Sequence, residues 1–219
     1  YYEHDKFAAG AKEVVQDNST ILEIGIGSGL FAEQFAALGG NHKYTGIDFS
    51  PEMLKIAKTR LKEYPSINYF EGDILKHDFN EKFDYIISMG GTISMSYRPK
   101  EKLHRIFAYS ANMEEYEKLL RKLSSCLKTD GIMLVSIQEQ HKDYSIALTQ
   151  DVVHHQEVLL LEQYMRKTYI FEECGKEVAR QTIQTMHFDE PEFNRLFTKA
   201  GFTVVGVNKP GNFYIYKKK

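Results

Sequence analysis

This chain has only two cysteines, Cys126 and Cys174, among its 219 residues. They form no metal-ligand spacing, and a secreted disulfide framework would need more of them. Neither sign of charge dominates, since 28 lysines and arginines stand against 30 aspartates and glutamates. That balance removes the electrostatic reason to expect nucleic-acid or membrane-surface binding. Long apolar runs are missing as well. The longest cluster, Val158 to Leu161, is far short of the ~20 residues that cross a bilayer. The start of the chain carries no charged-then-apolar leader pattern. These absences point to a cytoplasmic chain. It begins at Tyr1 without a methionine, which leaves room for residues upstream.

What is present suits one α/β domain with a real core, at 219 residues and 42% hydrophobic content. Strand and helix signals alternate as a doubly wound fold requires. The pattern predicts a helix near His4 to Val15, a strand at Ile21, a helix over Leu30 to Leu38 and a strand over Tyr44 to Ile47. Ser50 then caps a helix with Pro51 in its first position. Strands follow at Ile67 to Phe70 and Phe83 to Ile87, a helix at Met113 to Leu127, and a strand at Ile132 to Ile137.

The densest signal is Ser19 to Phe31, STILEIGIGSGLF. An apolar run around Glu23 reads as a buried parallel strand entering a turn in which Gly25, Gly27 and Gly29 admit a ligand close to the backbone. The next helix offers unpaired N–H groups. Asp48 ends the second strand, where a carboxylate can accept hydrogen bonds from two ribose hydroxyls. A dinucleotide fingerprint would place a third glycine where this chain has Leu30, so a nicotinamide oxidoreductase is disfavoured.

The run Glu23-Ile24-Gly25-Ile26-Gly27-Ser28-Gly29 resembles motif I of the class I S-adenosylmethionine-dependent methyltransferases. The resemblance implies a doubly wound α/β fold with a mostly parallel seven-stranded sheet and helices on both faces. It implies that Glu23, Gly25, Ile26, Gly27 and Gly29 hold the amino-acid end of the cofactor and that Asp48 holds its ribose. Phe49 and Met53 would pack on the adenine. In FEGDIL, Asp73 would accept from the adenine amino group and Ile74 would flank the ring. Met89, after the fourth strand, would lie beside the transferred methyl.

The acceptor is narrowed by what that last position lacks. Neither the Asn/Asp-Pro-Pro-aromatic motif of exocyclic base methylation nor the Pro-Cys nucleophile of base C5 methylation is present. The opening Tyr2-Glu3-His4-Asp5-Lys6-Phe7-Ala8 and the Met186-His187-Phe188 step before the last helix resemble small-molecule N- and O-methyltransferases, among them the amino-sugar N,N-dimethyltransferases. A small-molecule acceptor is implied, with no nucleic acid, no membrane and no metal, in a monomer or homodimer. A histidine those enzymes carry after strand four is replaced by Met95. His141, after strand five, either acts as base for a hydroxyl acceptor or is an ordinary loop histidine. A non-catalytic cofactor-binding subunit is the alternative from another class, although Glu23, Asp48 and Asp73 are all kept.

Two segments exceed a minimal fold within the single domain expected over residues 1–219. Residues 96–115 are expected to hold a short helix near Lys100 to Phe107 and to cover the acceptor site. With Tyr2 and Met95, their side chains Tyr97, Arg98 and Tyr109 are candidate pocket residues. Residues 140–187 are expected to add antiparallel strands, with a hairpin turning at Glu173-Cys174-Gly175-Lys176. A final helix at Glu190 to Lys199 and two closing strands complete the chain.

Overall fold

The computed structural model describes residues 3–90, 92–98, 103–110, 112–139 and 141–219. In chain order the elements are α1 (His4–Lys12), β1 (Thr20–Ile24), α2 (Leu30–Ala37), β2 (Lys43–Asp48), α3 (Pro51–Arg60), β3 (Ile67–Glu71) and β4 (Phe83–Ser88). They continue with β5 (Ile93–Arg98), β6 (Leu103–Ala108), α4 (Met113–Cys126), β7 (Leu127–Gln138), β8 (Tyr144–Ala147) and β9 (Val152–Leu160). The last are β10 (Tyr164–Glu173), β11 (Lys176–Asp189), α5 (Glu190–Lys199), β12 (Phe202–Val207) and β13 (Phe213–Lys218).

Local chemistry sets several of these boundaries. The Ser50 hydroxyl accepts from Met53 N at 3.3 Å and Pro51 opens α3. Asn112 caps α4 through a 3.0 Å bond from Glu115 N. The turn between β10 and β11 puts Cys174 at φ 52° and Gly175 at φ 74°. Two consecutive left-handed residues match the twist of the flanking strands.

The strands β3-β2-β1-β4-β7-β13-β12 form the doubly wound sheet. It is parallel throughout except for β13, which runs antiparallel to both neighbours. Apolar cores cover both of its faces. One gathers α4 and α5 through Tyr116, Leu119, Leu120, Leu123, Phe193 and Phe197, and the other gathers α1, α2 and α3 through Ala8, Phe31, Phe35, Leu54 and Ala57. Each fully buried large side chain contributes about 1.5–3 kcal/mol of transfer free energy, so these helix faces commit the chain to this layering.

The two extra segments behave differently from the sequence expectation in one respect. No helix forms near residues 103–108; that stretch is β6, paired antiparallel with β5 in the register Ile93↔Ala108 through Arg98↔Leu103. The reason is a period of two. Ile93, Met95, Ile106 and Ala108 are all fully buried on one face, while Ser94, Ser96, Arg105 and Phe107 share the other. The described residues 93–98 and 103–108 are therefore built into a sheet, and the expected short helix is replaced by a strand over 103–107. Strands β5, β6, β11, β10, β9 and β8 form an antiparallel sheet larger than the expected hairpin. It joins the parallel sheet where Met95 and Ser96 of β5 run parallel to Ile137 and Gln138 of β7.

Candidate cofactor and acceptor site

The glycine loop crosses the C-terminal end of β1, and β2 holds it there. Gly25 N and Ile26 N donate to Ile47 O at 2.8 and 3.2 Å. Gly25, Gly27 and Gly29 all have positive φ, of 73°, 54° and 75°, a conformation that costs other L-residues about 1–2 kcal/mol each. A Cβ on Gly29 would come 2.9 Å from Leu61 Cδ1, so this glycine lets the α2 start pack on the end of α3. A Cβ on Gly27 would meet Met53 Cε at 3.4 Å and Gly25 O at 4.0 Å, ordinary contact distances, so its positive φ is what calls for glycine there. The loop and the end of β2 form a cradle.

Asp48 closes it. Its Oδ2 accepts from Gly27 N at 2.8 Å and its Oδ1 from Ser50 N at 2.9 Å. Each carboxylate oxygen keeps a further lone pair for a ligand hydroxyl. Beside it, Phe49 and Met53 are 69% and 39% exposed, large apolar groups facing outward where a flat ring could rest. Phe49 stacks with Tyr109 at 6.2 Å between centroids, so the structure joins an expected cofactor residue to an expected pocket residue.

Other expected site residues have duller places. Glu23 is 1% exposed, and its Oε2 accepts from Tyr44 Oη at 2.8 Å in the core beneath the loop. Burial pushes its carboxyl from 4.5 up to about 8. Gly25, Gly27 and Ser28 of the loop above it are half-buried. The Ile26 side chain is also buried, packed over Gly46. Asp73 accepts from Leu75 N at 2.9 Å, lies 3.5 Å from Lys76 Nζ, and remains 41% exposed. Ile74 packs against the core on the α4 side.

Met95 is fully buried with Ile93 and Ile106. Tyr97 lies on that same strand face and packs on His104 at 5.1 Å. Tyr2 and the Arg98 side chain lie outside the described residues. His141 sets its ring against Phe107 at 5.4 Å and 77°. His154 and His155 diverge to opposite strand faces. His154 stacks on Phe171 at 4.5 Å, while His155 bonds Ser145 at 2.7 Å.

A polar row that sequence patterning does not single out starts at the end of β4. Met89 is buried, and its carbonyl accepts from Gln138 Nε2 at 3.3 Å. The same nitrogen lies 3.2 Å from Ser136 Oγ. Ser94 and Ser96 continue the row on β5, and the buried Ser96 hydroxyl has no partner among the described residues. Alternate polar positions in ISMSYR and in VSIQ mark these faces, but period-two patterning shows only which residues share a face.

Residues 21–131 match the family described as a methyltransferase domain. Malonyl-acyl-carrier-protein O-methyltransferase 1 of Ilyobacter polytropus is 34% identical over 68 residues, which cover 31% of this chain and 25% of that protein. The corresponding protein of Bacillus cereus is 25% identical over 197 residues, covering 87% of this chain and 64% of its own. The chain thus spans less than two thirds of the length of these curated relatives. In fold it is similar to CalS10, an amino pentose methyltransferase from Micromonospora echinaspora involved in calicheamicin biosynthesis. That S-adenosylmethionine-bound structure superposes with a TM-score of 0.71 at 15% identity, covering 100% of this chain and 92% of the other.

Proposed function

Because this chain belongs to the methyltransferase-domain family, we propose that it moves the methyl group of S-adenosylmethionine onto an oxygen or nitrogen of a small metabolite. The observation that carries the reading is the Asp48–Gly27 bond. It sets a carboxylate against a loop in which Gly25, Gly27 and Gly29 all take positive φ. The cofactor supplies a methyl group activated on a sulfonium. The loop amides from Gly25 to Gly29 and the Asp48 carboxylate would hold its amino-acid and ribose portions, with Phe49, Met53, Asp73 and Ile74 around the adenine.

Displacement at a methyl carbon needs the nucleophile, carbon and sulfur nearly in line. Holding that geometry can be worth effective molarities of ~10⁵ M or more. A rigid cradle at strand ends suits this demand. His141 would take the proton where the acceptor is a hydroxyl, and an amine acceptor would need no strong base once deprotonated. The amino pentose substrate named for CalS10 supports a small polar acceptor, as does the polar row beyond β4. The test is transfer of tritium from methyl-labelled S-adenosylmethionine into a low-molecular-weight metabolite extract. Binding of the cofactor with no transfer into any fraction would instead make the chain a binding subunit.

A further inference from the structure

We propose that Gln138 is the acceptor-positioning residue and that it selects a nucleophile carrying its own N–H or O–H in place of a carboxylate. The inference rests on the methyl-transfer reading above and concerns the acceptor alone. Gln138 ends β7 and is 7% exposed. Its side chain reaches the carbonyl of Met89, the residue that follows β4. A carbonyl oxygen can only accept, so the group facing it must be the amide NH2. Nε2 is further held 3.2 Å from Ser136 Oγ. With the nitrogen fixed on two partners, Oε1 has to face the other way. No bond to Oε1 occurs among the described residues, and it is not one of the fully enclosed unpaired atoms.

An amide oxygen left in this position is an acceptor looking for a donor. A buried or half-buried polar group without a partner is costly, so a ligand that completes it is favoured. An amine or alcohol offers that proton and keeps a lone pair for attack. A carboxylate offers only lone pairs and would meet the amide dipole oxygen to oxygen. The surrounding charges do not reverse the preference. Arg105, on the same face of β6, is held at 3.0 Å by Asp189 and lies 3.2 Å from His187 Nδ1. The Ser96 hydroxyl, beside Gln138 in the strand register, is fully enclosed and so offers a ligand no bond of its own. In the transfer the acceptor's lone pair forms the new bond to the methyl carbon, and the carbon–sulfur pair stays on sulfur. The surplus proton passes to His141 for a hydroxyl acceptor and to water for an amine, because an amide oxygen is too weak a base to keep it.

The test uses the whole chain, methyl-tritiated S-adenosylmethionine and a low-molecular-weight metabolite extract as the acceptor source. Products are treated with alkali, which releases the methyl of an ester as volatile methanol and leaves N-methyl and ether O-methyl groups intact. Label that stays in the non-volatile fraction supports the proposal, and label lost as methanol overturns it. Gln138→Leu should cut this transfer about 10-fold, with S-adenosylhomocysteine affinity by calorimetry changed less than twofold. Transfer held within twofold in a folded variant overturns the role. Independently of activity, the Gln138 side-chain NH2 protons, assigned by their loss in Gln138→Leu, should exchange slowly in NMR. Exchange as fast as that of surface glutamines overturns the inward orientation. Failure of S-adenosylhomocysteine to bind the wild-type chain would instead count against the cofactor reading.

Discussion

Asp48 and Gly27 are joined by a 2.8 Å hydrogen bond in which the loop amide donates to carboxylate Oδ2. The second strand therefore shapes the loop made by the first. Asp48→Ala removes both this bond and the one from Ser50 N, together with the carboxylate offered to the ribose. Affinity for S-adenosylmethionine should fall by about 1.5–3 kcal/mol, the range for charge-assisted hydrogen bonds. Calorimetry on a variant with an unchanged circular dichroism spectrum checks it, and unchanged affinity would remove Asp48 from the site.

Two glycines with nearly equal backbone angles separate conformational cost from packing cost. Gly29 has φ 75°, and a methyl group added to it would lie 2.9 Å from Leu61 Cδ1, whereas Gly39 has φ 74° and nothing within 4 Å. Alanine at either position incurs the left-handed penalty of about 1–2 kcal/mol. Gly29→Ala should lose at least a further ~1 kcal/mol through overpacking against α3. Denaturant midpoints measure the difference directly, and equal losses would show that Leu61 yields freely.

Burial raises the Glu23 carboxyl from 4.5 to about 8. Between those values the folded chain keeps a proton that the unfolded chain releases. Stability therefore falls as pH rises from about 4.5 to 8, by at most ~1.4 kcal/mol per unit from this group. Glu23→Gln has no proton to lose and can still accept from Tyr44. Its melting temperature should exceed wild type by a margin that grows from pH 5 to pH 8. Parallel curves would mean that Glu23 is ionised in the fold.

His141 follows β7 with its ring nearly perpendicular to that of Phe107. If it serves a hydroxyl acceptor as base, His141→Ala should lower kcat by roughly 10²-fold with cofactor affinity intact. A change of only a few fold would leave positioning by Gln138 as the main contribution.

The parallel half of the fold is legible in the sequence because its signals are local. Ser50-Pro51 marks a helix start, Gly25 to Gly29 a turn, and Leu119, Leu120 and Leu123 one helix face. The 96–115 segment misleads because the charged residues between Arg98 and Arg105 obscure the alternation that sets Ile93, Met95, Ile106 and Ala108 on one side. Burial of Glu23 is equally out of reach, since its partner Tyr44 comes from a neighbouring strand. The same holds for Gln138, whose meaning depends on Met89, a residue 49 positions earlier in the chain. Pairings across strands arise from tertiary register, which a local pattern does not encode.

Calorimetric titration of the intact chain with S-adenosylmethionine, beside a titration with a nicotinamide dinucleotide, tests the central claim most directly. The arrangement of Asp48 over Gly27 predicts saturable one-to-one binding of S-adenosylmethionine, weakened in Asp48→Ala, and no heat of binding from the dinucleotide. Binding of the dinucleotide with none of S-adenosylmethionine would contradict the account.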